Sequence, residues 1–245
     1  MDKIDIFGVK IDNVTMDSAM EKVAMWLSES RRGHAIYTPN SEIIMAAKKD
    51  PEFKDLLNSA DMTTPDGIGV VKAAGILGTP LPERVGGFDL TCRVIEYLNA
   101  NKMSLFILGG KPGVAETAAA NLKEKYPDLI IAGTNDGYFK EEAPIVEKIA
   151  LSAPDYLMVC LGAPKQEKFI AAYKDKLNAK VLIGAGGSAD VFAGTMARAP
   201  EFFIKHNLEW LYRIVKAKRL KRSLSLFTFA GSVIMHRIIH GKNKQ

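Results

Sequence analysis

The stretch SLFILGG, residues 104–110, decides the fold class of this chain. It is an apolar run that ends in two glycines, and the segment after it, VAETAAANLKEKY, has the pattern of a helix. The same order of apolar strand, turn and helix recurs in residues 128–153, 155–177 and 179–190. Unbroken apolar strands that alternate with helices are typical of a parallel sheet covered on both faces. The sequence therefore predicts an α/β fold with a parallel sheet and helices on both faces.

The chain before this stretch adds a hairpin, helices and two further strands. IDIFGVKIDNVT reads as a hairpin, MDSAMEKVAMWLSES as a helix and HAIYT as an apolar strand. Pro39-Asn40-Ser41 and Asp50-Pro51 each predict a helix start, a short strand-like stretch covers residues 60–64, and GIGVVKAAGIL reads as a helix. We expect residues 1–195 to form one domain.

The β-α order stops after about residue 195, and the chain becomes helical, amphipathic and basic. Residues 205–245 carry a formal charge of +9 and residues 1–204 a charge of −4, which together give the net charge of +5. A basic segment on a mildly acidic body predicts an anionic partner, and phosphates, anionic lipid and nucleic acid all qualify. We expect residues 196–245 to be a helical, basic C-terminal appendage.

The composition also bears on the compartment and on membrane contact. The two cysteines, Cys92 and Cys160, suit neither a disulfide framework nor a zinc site, and the charged N-terminus has no secretory signal, so a reducing cytosol is expected. The apolar stretch at residues 224–235 is shorter than the roughly 20 residues that span a bilayer, so it is able to lie on a membrane but not to cross it.

Unusual residues follow the predicted strands, at the edge of a parallel sheet where ligands bind. Gly109 and Gly110 fit a turn whose backbone N–H groups can face a phosphate, although the G-x-G-x-x-G spacing is absent. A tight turn alone explains these glycines equally well. Lys165 and Gln166 are long polar side chains directly after a central strand, which favours a functional role.

Asp66, in TTPDGIGVV, has two possible roles. It can cap the helix that begins at Gly67, or it can be a catalytic base. On sequence chemistry alone the capping interpretation is favoured. The chain has no Asp-x-Asp pair, and its four histidines lack the spacing of metal ligands, so no metal or other cofactor is expected.

Eight stretches, in order over nearly the whole chain, carry a resemblance to a known family. They are YTPNSEIIMAA (37–47), PDGIGVV (65–71), ERVGG (83–87), LGGKPG (108–113), GYF (137–139), LGAPKQE (161–167), GGSADVFAG (186–194) and RAPEFFIKHNLEWLYR (198–213). Together they resemble the WecG/TagA/CpsF glycosyltransferase family, and most closely its wall-teichoic-acid branch. The KAKRLKR segment departs from the family pattern, which often has a proline there.

The resemblance implies a Rossmann-like fold and a defined reaction. N-acetylmannosamine passes from UDP-N-acetylmannosamine to the 4-hydroxyl of N-acetylglucosamine on undecaprenyl diphosphate, with inversion and without a metal. The acceptor lipid lies in the cytoplasmic leaflet, which implies a peripheral protein on an anionic membrane surface. Apolar helices around the appendage also make a homo-oligomer off the membrane an expectation.

The same resemblance gives roles to individual residues. It reverses the preference at Asp66, which becomes the catalytic base, with Thr38 and Asn40 positioning a sugar. Arg84 is expected to contact a diphosphate. The donor nucleotide and the diphosphate would also meet a further set of residues: Gly109, Gly110, Gly137, Lys165, Gln166, Arg213, Arg219 and Arg222.

Three alternatives remain open from the sequence. A nicotinamide-dependent oxidoreductase would suit the β-α units, but the broken glycine fingerprint argues against it. A nucleic-acid-binding module would suit the basic appendage, but the apolar residues 224–235 favour lipid over nucleic acid. A related transferase that uses UDP-N-acetylmannosaminuronic acid, or another UDP-sugar for a surface polysaccharide, would need a further cation in the pocket.

Overall fold

The computed structural model of the protein describes residues 2–30, 33–206, 208–209, 211–212 and 220–241. Side chains are described throughout these ranges except at residues 220–225, 240 and 241. Arg213 and Arg219 therefore lie outside the described residues, and so does the side chain of Arg222.

The described chain contains eight strands and eleven helices that we number in chain order. The strands are β1 (Lys3–Ile6), β2 (Val9–Asp12), β3 (His34–Tyr37), β4 (Met62–Thr63), β5 (Ser104–Gly109), β6 (Ile130–Asn135), β7 (Tyr156–Cys160) and β8 (Val181–Gly184). The helices are α1 (Met16–Ser28), α2 (Ser41–Lys49), α3 (Pro51–Asn58), α4 (Ile68–Leu77), α5 (Gly87–Ala100), α6 (Val114–Lys125), α7 (Ala143–Ser152), α8 (Lys165–Tyr173), α9 (Ser188–Phe192), α10 (Glu201–Lys205) and α11 (Leu220–Gly241).

The helix starts read from the sequence are confirmed where the cap is a side chain. The Asn40 side-chain oxygen accepts hydrogen bonds from the N–H groups of Glu42 and Ile43, at 2.9 and 3.1 Å, and so satisfies two donors that the first turn of α2 leaves open. Asp50 caps α3 in the same way, and Pro51 occupies the first helical turn.

A six-stranded parallel sheet with the order β4-β3-β8-β7-β5-β6 forms the centre of the molecule. Buried side chains of α1, α5, α6 and α9 pack on one face of this sheet. The β1-β2 hairpin packs on the other face together with α2, α3, α4, α7, α8 and α11. The predicted α/β fold, a Rossmann-like parallel sheet with helices on both faces, is confirmed.

The sheet reverses its direction of winding between β5 and β7. These strands are neighbours, yet α6, which follows β5, lies on one face and α8, which follows β7, lies on the other. Such a reversal opens a crevice at the carboxyl ends of the two strands, and ligands of α/β proteins bind there. Gly109 and Gly110 end β5 and Lys165 begins α8, so the predicted glycine and lysine positions border this crevice.

The C-terminal helix α11 packs against the α/β body. Phe229 and Val233 are buried in the same core as the sheet, and Phe7 of the hairpin turn contacts the ring of Phe229 edge-on. Five of its large apolar side chains are more than half exposed: Phe227, Ile234, Met235, Ile238 and Ile239. Within the described residues, no helix combines the length and apolar character needed to cross a membrane. The domain boundary at residue 195 stays a prediction.

Candidate active site

The predicted site residues lie at the carboxyl edge of the sheet in two groups. The first group, which we call the charged half, follows β3 and β4 and contains Thr38, Asn40, Asp66 and Arg84. The second group, which we call the glycine half, follows β5, β6 and β7 and contains Gly109, Gly110, Gly137 and Lys165. Strand β8 lies between β3 and β7, the nearest strands of the two halves, so these strands are about 10 Å apart at ~4.8 Å per strand spacing.

Asp66 is half-buried in the loop between β4 and α4, and the backbone holds this loop at three points. Thr64 N–H donates to the Tyr37 carbonyl at 2.9 Å, Asp66 N–H to the Pro39 carbonyl at 3.4 Å, and Val85 N–H to the Pro65 carbonyl at 3.1 Å. These bonds join the loops after β3 and β4 to the loop before α5. The Asp66 carboxylate is therefore positioned by main-chain contacts.

The capping interpretation of Asp66 is wrong. Helix α4 begins at Ile68, and its N-cap is Gly67, which has φ of 103° and makes no side-chain capping bond. Only glycine adopts this backbone conformation readily, so Gly67 turns the chain sharply between Asp66 and the helix. Asp66 thus precedes the cap residue of α4 and is not itself the N-cap.

Arg84 lies beside Asp66 within a network of charges. A methyl group built on Gly86 would lie 2.9 Å from Arg84 Nη1 and 3.3 Å from Asp66 Oδ1, so both charged groups face this glycine. Arg84 Nη2 also pairs closely with Asp89, and Nη1 lies 3.3 Å from Glu209 Oε2. Arg198 also belongs to this network, because it pairs closely with the second oxygen of Asp89.

Thr38 and Asn40 are held by structural bonds next to Asp66. The buried Thr38 hydroxyl donates to the Gly184 carbonyl at 3.1 Å, which joins the end of β3 to the end of β8. Gly87 leaves room for Thr38, because a methyl group there would lie 2.9 Å from Thr38 Oγ1. Asn40 uses its side-chain oxygen to cap α2. The structure thus brings Thr38, Asn40, Asp66 and Arg84 to one end of the sheet.

In the glycine half, main-chain groups of three loops approach each other closely. Gly110 N–H donates to the Cys160 carbonyl at 3.3 Å, and Gly137 N–H donates to the Gly110 carbonyl at 2.9 Å. Lys165 Nζ donates to the Gly137 carbonyl at 3.1 Å and lies 4.6 Å from the centre of the Phe139 ring. The loops after β5, β6 and β7 therefore form one surface, to which Lys165 supplies a cation.

Gln166, at the start of α8, contacts the end of β8, which lies between the two halves. Its side chain is buried, its Oε1 accepts from Gly186 N–H at 3.0 Å, and its Nε2 donates to Glu167 Oε1 at 2.8 Å. Glu167 is also buried, and this burial raises the pKa of its carboxyl, although the hydrogen bond from Gln166 acts in the opposite direction. Gln166 thus fixes the turn after β8 through Gly186. Its side chain also packs against Gly184, whose carbonyl accepts the hydrogen bond from Thr38.

Asp89, Arg198, Glu209 and Glu167 were not among the residues predicted for the site. One signal was present for Glu209, because it is the one acid in residues 205–245. The structure gives no position for the guanidinium groups of Arg213, Arg219 and Arg222, which lie outside the described residues. Among the side chains it does describe, no three His, Cys, Asp or Glu groups are arranged to hold a metal ion.

Comparison with known sequences shows the family of this chain. The model of the family described as the Glycosyl transferase WecG/TagA/CpsF family matches residues 4–243. The chain belongs to this family. The match spans both halves of the site, and it also covers α11, so the C-terminal helix is part of the family's common sequence and not an addition of this chain.

Three relatives within the WecG/TagA/CpsF family share the name N-acetylglucosaminyldiphosphoundecaprenol N-acetyl-beta-D-mannosaminyltransferase. The protein from Bacillus spizizenii is 38% identical over 209 residues, which cover 85% of this chain and 81% of the relative. The Staphylococcus aureus protein is 35% identical over 99% of this chain and 94% of the relative. The Bacillus subtilis protein is 36% identical over 94% and 90%, respectively.

Proposed function

We propose that this protein transfers N-acetylmannosamine from UDP-N-acetylmannosamine to the 4-hydroxyl of undecaprenyl-diphosphate-linked N-acetylglucosamine, in the synthesis of the wall teichoic acid linkage unit. The observation that carries the proposal is the position of Asp66. Asp66 is not the N-cap residue of α4, it follows the carboxyl end of β4, and its carboxylate faces Gly86 together with the cation of Arg84. The names of relatives at 35–38% identity support the acceptor and the transferred sugar.

The chemistry that this position suits is an inverting displacement. The Asp66 carboxylate takes the proton of the acceptor 4-hydroxyl, and the oxygen attacks C1 of the donor sugar from the face opposite the diphosphate. The C1–O bond to UDP breaks, and the diphosphate leaves with the electron pair. The configuration at C1 inverts, which produces the β-linkage. Thr38 and Asn40 lie beside Asp66 and position a sugar in this proposal.

The leaving diphosphate needs positive charge, and the chain offers it from two directions. In the glycine half, Lys165 faces the crevice between β5 and β7, where Gly109, Gly110 and Gly137 present main-chain groups to the nucleotide. In the charged half, Arg84 lies next to Asp66. The appendage adds three arginines, Arg213, Arg219 and Arg222. A guanidinium group suits this role because its parallel N–H groups bind two phosphate oxygens at once. We propose that these cations replace a metal ion.

The outer face of α11 supports a peripheral position on the cytoplasmic side of the membrane. Its exposed apolar side chains, from Phe227 to Ile239, follow a segment rich in lysine and arginine. An apolar helical face next to cations suits a surface of anionic lipid. Binding at this surface would bring the enzyme to its lipid-linked acceptor, and off the membrane the same face offers a contact for a homo-oligomer.

The decisive experiment measures UDP release from UDP-N-acetylmannosamine and a lipid-linked N-acetylglucosamine acceptor in the presence of EDTA. We expect turnover by the wild type and a loss of at least about a hundredfold in Asp66→Asn, because general base catalysis contributes roughly 10²–10⁴-fold. Asp175→Asn is a matched control, since it removes the same charge near Gly33 at the opposite edge of the sheet. We expect that control to retain wild-type turnover.

Three results would count against parts of the proposal. Near-normal turnover of Asp66→Asn would remove Asp66 as the base. Loss of wild-type turnover in EDTA that Mg²⁺ restores would contradict metal independence. A wild type that is silent with this donor but active with UDP-N-acetylmannosaminuronic acid would favour the related transferase, and the acceptor would be retained.

A further inference from the structure

The carboxylate of Glu209 contacts one nitrogen of the Arg84 guanidinium, the nitrogen nearer to Asp66. Arg84 Nη1, the atom that Glu209 contacts at 3.3 Å, is also the atom that faces Gly86 beside Asp66 Oδ1. Glu209 follows α10 and is the one acid in a segment that otherwise carries ten lysines and arginines. An acid in this basic segment thus contacts the body of the protein at an arginine next to the proposed base.

The two carboxylates on Arg84 are bound differently. Asp89 lies in the first turn of α5, pairs closely with Nη2 of Arg84, and is shared with Arg198. Glu209 makes the longer contact, at 3.3 Å, and comes from a segment distant in sequence. The side chains of Arg84, Glu209 and Asp89 are 19%, 18% and 23% exposed, so the two carboxylates differ in their contacts and not in their accessibility. Asp89 therefore fixes the guanidinium, whereas the Glu209 contact is the one that a ligand can replace.

A diphosphate competes with a carboxylate for the same donors. Guanidinium forks bind carboxylates and phosphates with the same pair of parallel N–H groups, and a phosphate carries more charge. Asp66, Asp89 and Glu209 all lie close to Arg84, so the carboxylate of Glu209 adds to the negative charge that an incoming diphosphate meets there. Replacement of Glu209 by a phosphate on Arg84 removes one part of this repulsion.

We propose that Glu209 holds the phosphate position on Arg84 in the unliganded enzyme and is displaced by a substrate diphosphate, so that Glu209 sets the affinity for that diphosphate. This inference rests on the proposed function. The diphosphate belongs either to the UDP of the donor or to the lipid-linked acceptor, and both present the same chemistry to Arg84. Glu209 is thus a residue that determines substrate affinity, and it does not take part in bond formation.

The test measures the dissociation constant of UDP by isothermal titration calorimetry on the full chain. Glu209→Gln keeps the shape of the side chain and removes its charge, and we expect it to bind UDP about three- to tenfold more tightly than the wild type. Glu201→Gln is the matched control, because it removes an acid from α10 that is 85% exposed and pairs only loosely with Lys205, at 4.0 Å. The control should stay within about twofold of the wild type.

A second probe separates the two sources of diphosphate. A water-soluble, short-chain lipid diphosphate of N-acetylglucosamine is titrated in the same way. Tighter binding of UDP alone assigns Arg84 to the donor, and tighter binding of the acceptor analogue alone assigns it to the acceptor. In either case the effect should disappear when Arg84→Lys is added, because the lysine keeps the charge but loses the fork that the two anions share.

The inference is overturned if Glu209→Gln binds both probes no more tightly than Glu201→Gln does, or binds them more weakly. Weaker binding would mean that Glu209 holds Arg84 in its productive orientation. The proposed function fails separately, and this inference with it, if the wild type binds neither UDP nor the acceptor analogue. Binding of either probe by the wild type, with no tightening of either probe in Glu209→Gln, overturns this inference alone.

Discussion

The charged half and the glycine half of the site lie on the same edge of one sheet but are built differently. Around Asp66 and Arg84, side chains from four separate segments meet in a network of opposite charges. Around Gly109 and Gly137, main-chain groups approach one another, and Lys165 is the one charged side chain that we find donating to them in the described residues. The charged half thus offers ionised side chains, whereas the glycine half offers a shaped surface of polar main-chain groups.

This difference suggests a division of labour between the two halves. A surface of backbone groups suits the parts of a nucleotide that must be bound but do not react. A cluster of charges suits the place where a proton moves and a diphosphate develops charge. Substitutions in the glycine half should therefore act on folding and donor binding, and substitutions in the charged half should act on turnover and on phosphate affinity.

The largest effect on stability is expected from Gly109→Ala. A methyl group on Gly109 would lie 2.2 Å from the Cys160 carbonyl oxygen, and Gly109 also has φ of 127°. The neighbouring strand β7 would have to move, so we expect a loss of about 3 kcal/mol or more in the free energy of unfolding. Urea denaturation followed by circular dichroism measures this loss.

Gly113→Ala is the matched control for that prediction. Gly113 has φ of 86°, but a methyl group there has no atom of another residue within 4 Å. Backbone strain alone should cost about 1 kcal/mol. Equal losses in the two variants would show that the left-handed backbone, and not the close approach of β5 to β7, is what requires glycine at residue 109.

Much of the fold was predictable because its strands are buried on both faces. Strands β5 and β7 consist almost wholly of apolar residues, and a helix follows each of them, so local pattern and tertiary structure agree. Helix α5 was not identified from the sequence. It begins at Gly87, and its N-cap Gly86 makes no side-chain capping bond, so the usual start signal is missing.

The site was predictable only in part, because its contacts join residues distant in sequence. Asp66 stands out locally as an acid between a proline and a glycine, whereas its catalytic role and the role of Arg84 came from the resemblance to the family. The pairing of Arg84 with Glu209 spans 125 residues, and no local pattern indicates which of the acids would reach it. Gln166 was expected to line the nucleotide pocket. The structure buries its side chain against Gly186 and Glu167, and its role toward substrate stays a prediction.

An intermediate effect is expected at Glu167, which supports both halves through Gln166. Glu167→Leu removes the acceptor for Gln166 Nε2 and leaves a buried amide without its partner, which should cost about 1–3 kcal/mol of unfolding free energy. Glu167→Gln can still accept that bond. Its effect should therefore be smaller, and it should depend on pH.

The sign of the pH dependence follows from the raised pKa of the Glu167 carboxyl. The folded protein holds this proton more tightly than the unfolded chain does, so wild-type stability falls as pH rises from about 4.3, the ordinary value, through the raised folded value. A glutamine at residue 167 does not ionise, so the Glu167→Gln protein does not lose stability in this way. Melting temperatures of the two proteins between pH 4 and 7 should shift in favour of Glu167→Gln as pH rises, and a constant difference would contradict the raised pKa.

The smallest effect is expected at Lys165, and it tests the division of labour most directly. Lys165→Met keeps the stem of the side chain over Phe139 but removes the charge and the bond to the Gly137 carbonyl. If the glycine half only binds the donor, KM for the UDP-sugar should rise about two- to fivefold while kcat stays within about twofold, because an exposed charge contributes roughly 1 kcal/mol or less. Lys168→Met, on the same helix and exposed like Lys165, should leave both constants unchanged. A fall in kcat without a change in KM would instead mean that Lys165 stabilises the diphosphate more strongly in the transition state than in the bound donor, and the two halves would then share the chemistry.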